Sequence, residues 1–362
     1  MEIYLDNAST TKVKDEVIKS MQVYQTDNYS NPSSIHSQGE KAKQALEKAR
    51  KIIADKINAR PNEIIFTSGA TESNNLALRG IANYYKKGHI ITTKIEHASI
   101  SETCKELEKQ GFKISYLDVD QEGYIGLKDL ENNITKETIL ISVIHANNEI
   151  GTIQDLNKIS EIASKHKIKF HTDAAQSFCK LAIDSKNIDL ISLNSHKIHG
   201  PKGIGALYIK TGTKLSPQIT GGGQESNIRS GTENLPGIIG FAKAVELFTD
   251  IDQIQKFQIY FIDELLTIPG TKLNGPITRL CNNINLQFPK IESDSLLLKL
   301  DKQGIYTSTG SACSSKKPSH VLKAIGLTDK QIKHSLRLSL SVFNNKEQID
   351  YTIKKIKEIL SS

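Results

Sequence analysis

The sequence predicts an α/β protein with a large unit on a mainly parallel sheet and a smaller α+β unit. Three observations predict it. Between about residues 60 and 210, short apolar runs rich in Ile and Val alternate with longer amphipathic stretches. Such runs suit strands buried on both faces, and the alternation suits parallel strands joined by helices. Beyond residue 269 the pattern shifts to shorter strands and two helices. The 362 residues are 38% hydrophobic and 24% charged, enough for a sizeable core and too little charge bias for disorder.

The elements follow in order. Residues 38–57 carry Ala, Leu and Ile at helical spacing. Strand-like runs occupy 63–67, 89–93, 113–117, 139–144, 169–173, 190–193 and 203–209. Helical segments at 71–85, 98–110 and 155–166 lie between several of them. Gly221-Gly222-Gly223 predicts a loop. A helix-forming region runs from about 235 to 266, with a break near Asp250. The chain ends on a helix at 349–360. We place the large domain at 14–250 and the small one at 1–13 and 251–362.

Composition excludes several classes. No stretch approaches the ~20 apolar residues of a membrane-spanning helix. The opening Met-Glu-Ile-Tyr-Leu-Asp lacks the ordered sections of a secretory signal, so a cytoplasmic protein is expected. Lys plus Arg exceeds Asp plus Glu by 47 to 40, but the basic residues are scattered and paired with acids, as in Glu40-Lys41. That pattern reads as solvated helix faces, with no nucleic-acid groove. Cys104, Cys179, Cys281 and Cys313 form no Cys-x-x-Cys pair and match no zinc spacing. Free thiols, no metal and no disulfide are expected.

The chemistry should sit beyond the carboxyl ends of the strands. Phe66-Thr67-Ser68-Gly69-Ala70-Thr71 reads as a strand, a small-residue turn and a helix start. A helix N-terminus offers free N–H groups to an anion, although the same pattern fits an ordinary capped helix. Asp173 closes an apolar run, where a buried carboxylate needs a cation. Lys197 follows a later strand, 24 residues on, before a Gly-Pro turn. That order suits a pyridoxal phosphate (PLP) site, with a lysine for the imine, an aspartate for the ring nitrogen and a helix N-terminus for the phosphate.

The motifs run in one order along nearly the whole chain. They are 4–11, 31–36, 67–74, Glu96-His97, 145–151, 173–176, 196–203, 229–234, Thr309-Gly310-Ser311-Ala312-Cys313 and 337–340. In this the chain resembles a NifS/IscS-type cysteine desulfurase, a fold-type I PLP enzyme of the class V aminotransferase group. The resemblance implies that Lys197 holds PLP and moves protons at the substrate Cα. It implies that Asp173 pairs with the ring nitrogen, Gln176 bonds the ring O3′, and His97 stacks on the ring and shuttles protons. Ala70, Thr71, Asn194 and His196 would hold the phosphate, Asn194 standing where many members have serine. Thr232 would reach the phosphate of the neighbouring subunit in a homodimer. Arg337, assisted by Asn148, would clamp the carboxylate of L-cysteine. Cys313 would take the sulfur as a persulfide and pass it to an acceptor protein, an iron–sulfur scaffold or a tRNA-thiolation protein. The polar small residues around Cys313 predict that 308–317 is the least ordered internal segment, with its thiol away from Lys197 at rest.

Rival readings are a selenocysteine lyase or a class V aminotransferase. The aminotransferase has no need of the Cys313 thiol. A metal-dependent hydrolase using His171, Asp173, His196 and His199 would leave Lys197 without a role.

Overall fold

The structure, a computed structural model, describes residues 1–309 and 318–361. The chain opens with a short strand β1 (Ile3–Tyr4) and helices α1 (Asp15–Thr26) and α2 (Ser37–Asp55). It then alternates β2 (Ile64–Thr67), α3 (Ala70–Tyr85), β3 (His89–Thr93), α4 (Ala98–Lys109) and β4 (Lys113–Leu117). Helix α5 (Leu127–Asn132), β5 (Thr138–Ser142), α6 (Leu156–Lys165), β6 (Lys169–Asp173), β7 (Leu190–Asn194) and β8 (Gly205–Ile209) complete the main sheet.

That sheet has seven strands in the order β2-β8-β7-β6-β5-β3-β4. Only β8 runs against its neighbours. The alternation of side chains along each strand gives the sheet two apolar faces. Ile90, Leu140 and Leu190 face Leu76 and Ile81 of α3 and Ile100 of α4. Ile91, Ile141 and Ile191, the next residue of each strand, join Ile53 of α2 and Ile159 of α6 on the other side. This two-sided burial is why the strands read as continuous Ile-rich runs rather than as alternating ones.

The helix-forming region after the glycines divides into α7 (Leu235–Glu246) and α8 (Ile251–Leu266). The break falls at Asp250, whose φ of 65° no helix continues through. Beyond it come β9 (Lys272–Leu273), β10 (Asn283–Gln287), α9 (Ser293–Asp301), β11 (Ile305–Tyr306), α10 (His320–Ala324), α11 (Asp329–Lys333), β12 (Ser335–Ser339) and α12 (Lys346–Ser361). Four helices therefore stand among the described residues after Pro269, where the sequence led us to expect two. Helices α10 and α11 have five residues each, too few to show a helical period. The antiparallel sheet β12-β10-β9 packs on a separate cluster that includes Phe261, Leu296, Ile353 and Ile356. Ile3 and Leu5 belong to the same cluster, because β1 pairs with β11, 302 residues away. Among the described residues, no helix is long and apolar enough to cross a membrane.

One buried ion pair fixes the glycine-rich loop. The Arg50 Nη1 and Nη2 groups donate to the two carboxylate oxygens of Glu225 at 2.7 and 2.8 Å. The Phe66 N–H donates to the same carboxylate at 2.7 Å, and Arg50 also reaches the Ile64 carbonyl. Glu225, Ser226 and Asn227 all have positive φ, between 47° and 63°. Three successive non-glycine residues in that region persist only when their surroundings over-determine them, and the Arg50 fork provides that constraint. Glu225→Ala takes the buried partner from a guanidinium that keeps only the more exposed Glu47 carboxylate at 3.2 Å and the Ile64 carbonyl, so denaturant unfolding should show a loss of about 3 kcal/mol. A loss below ~1 kcal/mol would mean that the pair is not a structural anchor.

Candidate active site

Five strand ends converge at one edge of the main sheet. Strand β6 ends on Asp173, which is 4% exposed. Its Oδ2 accepts from the Asn74 amide at 2.7 Å, and its Oδ1 accepts from the Ala175 N–H at 2.8 Å. Strand β7 ends on Asn194, and Lys197 follows three residues later. Strand β3 leads into Glu96 and His97, and β5 leads into His145 and Asn148. Strand β2 leads through Gly69 into the N-terminus of α3, where Ala70 and Thr71 begin the helix. A Cβ on Gly205 would lie 2.7 Å from the Gly69 Cα, so β8 presses directly on this turn.

The N-terminal segment crosses the mouth of this edge. The Lys197 Nζ donates to the carbonyls of Ala8 and Ser9, the latter at 2.7 Å. The Gln176 amide donates to the same Ala8 carbonyl at 2.9 Å. The Arg337 Nη2, from the middle of β12, donates to Asp6 Oδ1 and Ser9 Oγ, both at 2.8 Å. Its Nη1 donates to the Asn148 carbonyl at 3.2 Å. Residues 6–9 thus tie Lys197, Gln176 and Arg337 together. His196 Nδ1 lies 3.1 Å from Thr10 Oγ1.

Burial sets the charges here. It holds His97 below its ordinary imidazole value, with Asp173 opposing the shift and Lys197 reinforcing it. His196 is pushed down to about 4 for the same first reason. Glu96 is pushed up to about 8 by burial, and the charge on Asp173 adds to this. The folded protein therefore holds the Glu96 proton in a range where the unfolded chain has lost it. Stability is full below pH ~4.3, the ordinary glutamate value, and falls as pH rises from there through about 8. The slope is at most about 1.4 kcal/mol per pH unit. Glu96→Gln keeps an oxygen for the Thr93 hydroxyl and the Ile144 N–H. Thermal melts at pH 5 and pH 8.5 should show the variant gaining far more on the parent at the higher pH. An equal gain at both would contradict the assignment.

Of the residues singled out from sequence, Lys197, His97, Asp173, Gln176, Asn194, His196, Asn148 and Arg337 come together at this edge, with Ala70 and Thr71 at its α3 side. Thr232 does not join them within one chain; it is exposed on the loop after Arg229. Cys313 and the rest of 310–317 lie outside the described residues. His171 is held between Ser142 and Ser192, and His199 against the Lys12 carbonyl. Sequence reasoning did not single out Asn74 or Ser99, or give Asp6, Ala8 and Ser9 a role. Asn74 lay inside a quoted motif, but its partners come from other elements.

The residues fit PLP. A buried carboxylate held by neutral donors is matched by a cationic ring nitrogen. Asn194 is buried and its Oδ1 has no hydrogen-bond partner among the described residues, so its amide is not committed there and its NH2 is the donor it can offer a phosphate. The 16-residue α3 opens with N–H groups that its own turns leave unpaired.

Fold and site together define an α/β transferase with its chemistry at the strand ends. The chain belongs to the class-V aminotransferase family, whose profile matches residues 3–352. It is 50% identical over 370 residues to a protein of Methanosarcina thermophila named cysteine desulfurase IscS, covering 99% of this chain and 92% of that one. Among solved structures, a NifS-like protein superposes with a TM-score of 0.94 at 38% identity over the whole of both chains. A structure titled "SspA in complex with cysteine" gives 0.86 at 42% identity, covering 93% of this chain and 98% of that one.

Proposed function

We propose that this chain is a PLP-dependent cysteine desulfurase that leaves alanine and carries the sulfur as a persulfide on Cys313. One observation carries the reading: a buried carboxylate, held by neutral donors among the described residues, and a lysine stand at neighbouring strand ends. The full-length likeness to named cysteine desulfurases supports it.

Ala70, Thr71, Asn194 and His196 would hold the phosphate, Asp173 the ring nitrogen and Gln176 the O3′ oxygen. PLP supplies an electron sink for the pair left at the substrate Cα. The remaining work falls to the chain. Lys197 Nζ takes the Cα proton and later returns one. Asp173 keeps the ring nitrogen protonated through its charge. His97 would lie over the ring and move a proton. The Arg337 fork binds the substrate carboxylate, helped by Asn148, with Asp6 and Ser9 orienting the guanidinium. The Cys313 thiolate forms the S–S bond with the substrate sulfur. The electron pair of the broken Cβ–S bond stays on carbon, which takes up a proton on the way to alanine. The persulfide then goes to a protein acceptor of iron–sulfur assembly or tRNA thiolation.

The active unit is a homodimer in this reading, with Thr232 offered to the neighbouring subunit's phosphate. Its exposure in the single chain, on a loop anchored by Arg229 to Glu72 of α3, is consistent with that task. The pairing of Ile3 and Leu5 with the C-terminal cluster supports a small domain of 1–13 and 251–362. Sedimentation of the PLP-loaded protein should give dimers at micromolar concentration, and monomers alone would contradict the shared site. The desulfurase reading itself is tested by sulfide and alanine release from L-cysteine. Release of neither by a protein showing the imine absorbance would overturn it.

A further inference from the structure

A continuous chain of hydrogen bonds links Asp173 to His97 through two residues that the proposed mechanism does not use. Asn74 is fully buried and Ser99 is 8% exposed. As a carboxylate, Asp173 only accepts, so the Asn74 atom 2.7 Å from its Oδ2 is the amide nitrogen. The reversed amide would set oxygen against oxygen. The same nitrogen lies 2.8 Å from Ser99 Oγ and gives its second hydrogen there. Ser99 Oγ, having accepted, turns its own proton to its other neighbour, His97 Nδ1, at 2.8 Å. The Ser99 backbone N–H points to the same nitrogen at 3.2 Å. Two donors thus converge on Nδ1, which must be the bare nitrogen of the ring.

We infer that Asn74 and Ser99 are positioning residues that lock His97 as the Nε2–H tautomer, using the Asp173 carboxylate as the fixed end of the chain. The inference rests on the proposed roles of Asp173 and His97 in the site. Its consequence is that the proton His97 holds and moves sits on Nε2. It also follows that the orientation of the ring is set by the same carboxylate that serves the ring nitrogen of the cofactor. The Asn74 Oδ1 atom is buried without a partner among the described residues, so the bonds this amide makes there all serve the relay.

The test is nitrogen NMR of the holoenzyme labelled with 15N-histidine, with the His97 signals identified by their absence from His97→Gln. The expected result is one tautomer, with a protonated Nε2 and a bare Nδ1. Ser99→Ala should then show both tautomers, because only the weaker backbone donor remains, and kcat should fall roughly two- to tenfold. Ser99→Thr retains a hydroxyl and should restore both the single tautomer and the rate. A protonated Nδ1 in the parent protein would overturn the inference, and so would a single Nε2–H tautomer persisting in Ser99→Ala. The spectrum does not depend on turnover, so this result stands apart from the tests of the desulfurase reading.

Discussion

Replacing Lys197 with alanine is expected to abolish turnover of L-cysteine while leaving a folded protein. The fall should be ~10⁴-fold or more, because in the proposed mechanism Lys197 is both the covalent anchor of the cofactor and the base at the substrate Cα. Loss of the Nζ bonds to the Ala8 and Ser9 carbonyls costs about 1–3 kcal/mol, too little to unfold the chain. Lys180 will not substitute. It is buried behind the site with its Nζ on the Gln176 and Lys197 carbonyls, at 2.9 and 3.2 Å. Absorbance spectra and circular dichroism of the purified variant check the two halves of the prediction, loss of the imine band and retention of the fold. Turnover at the parent rate would sink the assignment of Lys197.

Cys313→Ala should bind L-cysteine and release sulfide only at background. The other thiols cannot take its place. Cys104 and Cys179 are pushed up to about 12 by burial, and Cys281 is raised for the same reason. At pH 7 Cys104 and Cys179 would then be thiolates in only roughly one molecule in 10⁵. All three are also sealed in the core, at 5% exposure or less. Sulfide release is followed colorimetrically, and persulfide by alkylation and mass spectrometry. Normal release by Cys313→Ala, or a persulfide found on Cys281, would move the acceptor elsewhere.

Much of this architecture was legible from residue pattern alone. The Ile-rich runs marked the strands because both faces of the main sheet are covered by helices. Asp173 and Lys197 stood out because a carboxylate and a lysine at buried strand ends conflict with the apolar pattern around them. Asp250 marked the break between α7 and α8. What escaped had no local signature. Strands β1 and β11 are two residues each and exist through each other. The carbonyls of Ala8 and Ser9 are backbone atoms, and no side chain announces that Lys197 will rest on them. Asn74 sits in a helix like any polar residue until Asp173 and Ser99 are brought to it from β6 and α4. The Arg50–Glu225 pair spans 175 residues, beyond the reach of any periodicity.

The strap formed by residues 3–11 has a consequence for synthesis on the ribosome. It bonds to Gly304 and Tyr306 near β11 and to Ser339 at the end of β12, and then to the His196 carbonyl. Translation yields it 332 residues before its last partner, Ser339. At roughly 5–20 residues per second that is a wait of tens of seconds. Throughout that time Ile3 and Leu5, both wholly buried in the finished protein, have no cluster to enter. The Arg337 bonds to Asp6 and Ser9 come only with β12, so a nascent chain stalled before β11 would have its main sheet and yet a strap seated at its Thr11 end alone.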